Sequence, residues 1–221
     1  MNNPGGWTAI SLAGVLILLG VGLTVFRPQH AVRLDGSYRL TADVTVLGRH
    51  YVTSQSYDYD CARTVPSMSG GTTVAAPCEL TGEALRMDLG TRGKLFILMT
   101  GWNGDRSGFS GADLMVHQLL FAAQHGQAVP PAAMPVMVRF RDLTNPNTVE
   151  IVDPGHLDRS FGAAVEFKSM TIDGGALPRG ISDIDATLPW LAALKGGRLS
   201  AQPDTLAYRL HGFDFKWPPV Q

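Results

Sequence analysis

The chain has 221 residues, with 18 Lys and Arg against 19 Asp and Glu, and only 17% of its residues are charged. A near-neutral balance without a basic run sets nucleic-acid binding aside. A hydrophobic fraction of 45%, with 25 Gly and 14 Pro, fits a globular protein with many turns.

Residues 7–26 are an uncharged run of twenty, ended by Arg27 and Pro28. A helix of that length spans about 30 Å, the hydrocarbon thickness of a bilayer. Trp7 suits the interface, and Leu12, Leu16, Leu19 and Phe26 supply apolar bulk. Gly14, Gly20 and Gly22 offer positions where another helix could approach closely. The first six residues carry no basic side chain. The apolar core is long for a signal peptide, residues 25–27 make a poor cleavage site, and no Cys follows to take a lipid. The expectation is an uncleaved anchor and tether at 1–33, followed by a single extramembrane domain at 34–221.

Residues 37–47 alternate, with Tyr38, Leu40, Ala42, Val44 and Val46 on one face, and predict a strand. Gly48 to His50 read as a turn and residues 51–59 as a returning, more polar strand. Cys61 and Cys78 bracket a loop-like stretch rich in Ser, Thr and Gly. They form no CxxC motif and have no His at zinc spacing. A disulfide in an oxidising compartment is the reading, worth roughly 3 kcal/mol in the chain-entropy model.

Residues 83–89 alternate again, 90–93 turn, and 94–100 form an apolar run suited to a strand buried on both faces. A glycine-rich loop follows at 101–108. Ser110 stands as the cap of a helix over 111–125. Residues 128–134 should be extended, 135–141 and 148–152 strands, and 142–147 a turn. Asp153 and Pro154 open a helical turn reaching Phe161. Residues 164–172 predict a long strand, Ser182 onward a short helix with Leu188, Trp190, Leu191 and Leu194 on its core face, and 206–215 a last strand. The predicted fold class is therefore α+β. It is a mainly antiparallel sheet of about eight short strands with two or three helices, preceded by one transmembrane helix.

Several segments together carry a resemblance. They are Tyr38-Arg-Leu-Thr-Ala-Asp-Val, Gly82-Glu-Ala-Leu-Arg-Met-Asp-Leu-Gly, Arg92-Gly-Lys-Leu-Phe-Ile-Leu, the run from Val138 to Pro154, and Leu188-Pro-Trp-Leu. In this order, over most of residues 36–195, the chain resembles uncharacterised alphaproteobacterial (sphingomonad-like) proteins with one N-terminal apolar segment. The resemblance implies a bacterial envelope setting and no catalytic residues. The cysteine pair and the uncharged N-terminus depart from that pattern.

Orientation is pulled two ways. Arg27, Arg33, Arg39 and Arg49 all follow the apolar run, which by the positive-inside rule favours a cytoplasmic domain. Long domains translocate regardless of flanking charge, and the cysteine pair favours the periplasm. The expectation taken is a single-pass protein of the bacterial inner membrane with a periplasmic domain.

Possible chemistry is sparse. Gly108-Phe-Ser-Gly-Ala is close to a nucleophile elbow around Ser110, with Asp142 or Asp153 and His156 or His211 as partners downstream. The bland alternative is a helix cap. His117 and His125 lie about 12 Å apart along one helix and about 80° apart around it, so they cannot share a metal unaided. Asp58 and Asp60 alternate with tyrosines but lack a calcium loop. Asp183 and Asp185 suit a helix start. Trp190 is expected in the core and Trp217 at an exposed docking element. No cofactor or metal is expected. The functional expectation is a non-enzymatic accessory subunit or assembly factor, with the membrane and other membrane-protein subunits as partners. The alternative is a membrane-tethered serine hydrolase using Ser110.

Overall fold

In the computed structural model the described residues are 32–63, 78–102, 108–111, 119, 128–174 and 183–218. The expected anchor at 1–33 and the helix over 111–125, with His117 and His125, lie essentially outside them. Among the described residues no helix is long and apolar enough to cross a membrane. Arg33–Ala62 and Ala76–Gln221 cluster as one unit, whose organisation follows.

Strand β1 (Val32–Val46) and strand β2 (Arg49–Arg63) form the predicted hairpin, longer than expected at fifteen residues each. Leu47 and Gly48 make its two-residue turn with φ of 52° and 77°. Two left-handed residues in succession match the twist of the strands, and glycine adopts that conformation without a Cβ penalty. Strand β3 (Cys78–Glu83) adds to β2 and places Cys61 directly opposite Cys78. Gly82 lies against the Tyr57 ring, where a Cβ would come within 2.7 Å of a ring carbon.

Strands β4 (Leu85–Asp88), β5 (Lys94–Ile97), β8 (Met137–Phe140) and β9 (Val149–Ile151) make a second antiparallel sheet in that order. Strands β6 (Gly101–Trp102) and β7 (Phe109–Ser110) pair separately. Strand β10 (Val165–Gly174) returns to pair with β1, and β11 (Lys216–Trp217) pairs with β3, closing the order β10-β1-β2-β3-β11. Four short helices are described: α1 (Leu157–Phe161), α2 (Ile184–Thr187), α3 (Leu191–Leu194) and α4 (Leu206–Arg209).

Alternation in β5 places the four-stranded sheet between two apolar layers. Leu95 and Ile97 share a cluster with Tyr38, Leu40, Val44 and Met170 of the five-stranded sheet. Phe96 and Leu98 face Val138, Phe140, Ile184, Leu188, Leu191, Leu210 and Phe215. The apolar run at 94–100 is thus buried on both faces, as expected. At four or five residues, helices α1–α4 are too short to be stable alone, and α2–α4 are held by the layer they bury.

The class is mainly antiparallel sheet with few helices, as predicted, and several local expectations fail. Within 128–134, expected to be extended, Pro131–Ala133 close a 3-10 turn, with Pro131 at its start where no N–H is needed. Residues 206–215 are not a strand. The Thr205 side chain accepts from the Tyr208 amide at 3.1 Å, α4 follows, and Ala207 and Leu210 are buried. Leu206, Ala207 and Leu210 therefore read as a helical face. The expected single helix after Ser182 divides into α2 and α3 because Pro189, which has no N–H to donate, stands between them.

Candidate functional site

The C-terminal segment joins the two sheets. The Ala84 amide, between β3 and β4, donates to the Phe215 carbonyl at 2.7 Å, and the Met99 amide, beyond β5, donates to the Asp214 carbonyl at 2.7 Å. Lys216 and Trp217 then pair with Glu83 and Gly82. A cavity of about 240 Å³ lies at this junction. Leu80, Met99, Phe213 and Trp217 form its apolar wall, beside Cys78, Glu79 and Asp214.

Asp214 is its distinctive group. The residue is only 5% exposed. Burial pushes its carboxyl up to about 7, although the hydrogen bond from the His211 amide opposes the shift. That bond, from the amide to Oδ2, is 2.7 Å. His211 Nδ1 lies 3.9 Å from the same oxygen, too far for a hydrogen bond. Burial first, and Arg198 second, hold the His211 ring below its ordinary pKa. The imidazole is therefore neutral near pH 7 and supplies no counter-charge. Its ring stacks on Phe213 with centroids 4.5 Å apart, and Phe213 is 41% exposed at the rim.

Next to this cavity, Lys216 is an organising cation. Its Nζ is 2.9 Å from Glu83 Oε1 and also binds Asp185 Oδ2. Burial alone would lower the Lys216 pKa, but the hydrogen bonds with Asp185 and Glu83 outweigh it and raise the pKa. Asp185 Oδ1 is buried without a hydrogen-bond partner among the described residues. Deeper inside, Tyr38 and Tyr57 stack with centroids 5.1 Å apart, and among the described residues the Tyr38 hydroxyl has no hydrogen-bond partner. Burial drives both phenols well up; for Tyr57 the nearby Leu85 amide opposes that rise.

The residues singled out by sequence go mostly to structural tasks. Cys61 and Cys78 form a disulfide across β2 and β3. Asp58 accepts from the Ser37 hydroxyl at 2.8 Å, and Asp60 faces Glu79 across the strands. Asp183 pairs with Arg86 at 2.6 Å. Asp142 caps the 142–148 turn by accepting from the Thr144 hydroxyl and amide. Asp153 accepts from the Gly155 amide and meets His156 Nδ1 at 2.9 Å. The Ser110 hydroxyl donates to the Gly111 carbonyl at 3.4 Å; among the described residues no histidine hydrogen-bonds to it. Trp190 is half-buried, donating to the Leu143 carbonyl at 2.8 Å and packing on Phe140 and Phe215. Trp217 is a cavity wall packed on the core rather than a fully exposed element. No group of three or more His, Cys, Asp or Glu among the described residues could hold a metal.

Sequence reasoning missed Asp214. Its one signal is an acid between two phenylalanines, Phe213 and Phe215, and it was hidden inside a segment read as a strand. Compared with known proteins, the chain matches no family model, no curated protein and no solved structure.

Proposed function

We propose that this chain is a single-pass protein of the bacterial inner membrane, acting as a non-enzymatic accessory subunit or assembly factor of a larger membrane complex. The observation that carries the reading is the twenty-residue uncharged run at 7–26 preceding a folded domain. An isolated anchor needs only bulk hydrophobicity. Gly14, Gly20 and Gly22 would in addition let a neighbouring helix approach. The Cys61–Cys78 bond supports a domain on the oxidising, periplasmic side.

The test is recovery of partners. The tagged full chain, expressed at its native level and purified in mild detergent, should bring down a stoichiometric membrane-protein subunit. A clean monomer sinks the reading. A reporter fused after Gln221 that is active only in the periplasm tests the orientation. The alternative of a Ser110 hydrolase predicts labelling by a serine-directed probe that Ser110→Ala abolishes. The Ser110 geometry does not favour it.

A further inference from the structure

The cavity at the sheet junction has a charge balance that the described residues of its wall leave incomplete. Its two ionisable side chains, Glu79 and Asp214, are both acids, and no Lys, Arg or His lines it among the described residues. Nearby cations are engaged elsewhere. Lys216 alternates with Trp217 along β11, so it projects to the other side, and it binds Glu83 and Asp185. Arg198 lies over the Tyr208 ring at 4.1 Å and donates to the Tyr208 carbonyl. The His211 ring is not one of them: burial and Arg198 hold its pKa down, and its Nδ1 is 3.9 Å from Asp214 Oδ2, beyond hydrogen-bond reach.

Asp214 meanwhile retains capacity. An ionised carboxylate offers about four acceptor sites, and the His211 amide takes one. A buried carboxylate is costly unless it is paired. The remaining wall is apolar and partly aromatic, and aromatic faces attract cations as well as hydrocarbon. In size, a cavity of about 150 Å³ is enough for benzene, so about 240 Å³ admits one ring with a short side chain.

We propose that this cavity binds a small apolar molecule carrying a protonated amine, with the ammonium on Asp214 and the hydrocarbon against Leu80, Met99, Phe213 and Trp217. A neutral analogue of the same shape keeps the apolar contact and loses the ion pair. An anionic analogue is repelled by both acids. This inference is independent of the partner reading above, because its test contains no partner protein.

The test is calorimetric titration of the full chain in mild non-ionic detergent with 2-phenylethylamine, 2-phenylethanol and phenylacetate, against detergent blanks. The amine should bind about tenfold or more tightly than the alcohol, a difference an interaction with a desolvated charge readily supplies, and phenylacetate should not bind. Asp214→Asn keeps an acceptor for the His211 amide, and should erase the preference for the amine while the alcohol binds as before. Phe213→Ala, at the exposed rim, should weaken amine and alcohol alike. Equal affinity for amine and alcohol in the unmodified chain, or no binding of any probe at millimolar concentration, overturns the proposal even if Asp214→Asn does not fold.

Discussion

Leu47 holds φ at 52° with its side chain 74% exposed. A left-handed conformation costs an ordinary L-residue roughly 1–2 kcal/mol, and asparagine tolerates it better. Leu47→Asn is therefore expected to stabilise the domain by about 0.5–1 kcal/mol, read as a raised urea midpoint at unchanged m-value; a lowered midpoint would show that Leu47 makes contacts worth more than the strain. Asp214 sets a pH dependence. Its pKa is raised to about 7 in the folded chain, against about 3.9 unfolded. Between those values the folded state binds more protons than the unfolded one, so stability falls as pH rises from about 4 to 7, by up to about 1.4 kcal/mol per unit, and levels off above. Asp88 and Asp153 act oppositely: the Lys94 and His156 contacts lower their pKa values. Their contribution is present above the unfolded carboxylate range and is lost at lower pH. Denaturation curves at pH 5 and pH 8 should show the fall, and Asp214→Asn should flatten it.

Strand β5 is the element on which both apolar layers meet. Leu95 and Phe96 are each fully buried, on opposite faces. Leu95→Ala should cost about 2–5 kcal/mol and Phe96→Ala about 3–5, measured by chemical denaturation. Lys94→Ala should cost under about 1 kcal/mol, because it removes only a partly exposed pair with Asp88. A small cost at either Leu95 or Phe96 would mean that one layer does not form. This element was legible because five consecutive apolar residues, Leu95 to Met99, cannot be a half-exposed strand. Alternation likewise disclosed β1 and β10. Helix α4 was not legible, because Leu206, Tyr208 and Leu210 alternate as a strand would, while the Thr205 cap and the buried Ala207 that decide for a helix gain meaning only against Phe215 and the second sheet.

At the scale of the whole molecule, the domain is stapled in two ways. The disulfide crosses β2 and β3, and the C-terminal segment hydrogen-bonds to both sheets. Replacing Cys61 and Cys78 together by Ala should lower stability by about 3 kcal/mol, since the bond restricts the unfolded chain. Gel mobility with and without reductant checks the bond, and thermal unfolding checks its worth. The pairing of Cys61 with Cys78 was readable because there are only two cysteines. The cavity was not readable. Its walls come from β3, Met99 beyond β5, the C-terminal turn and β11, and Glu79 and Asp214 are 135 positions apart. Periodicity alone determined the class of fold, the central buried strand and the presence of the first hairpin, though not its full length, because those follow from which side chains share a face within one element. Only the tertiary structure decided that a short C-terminal turn would bury an acid against two sheets, because desolvation depends on neighbours that are distant along the chain.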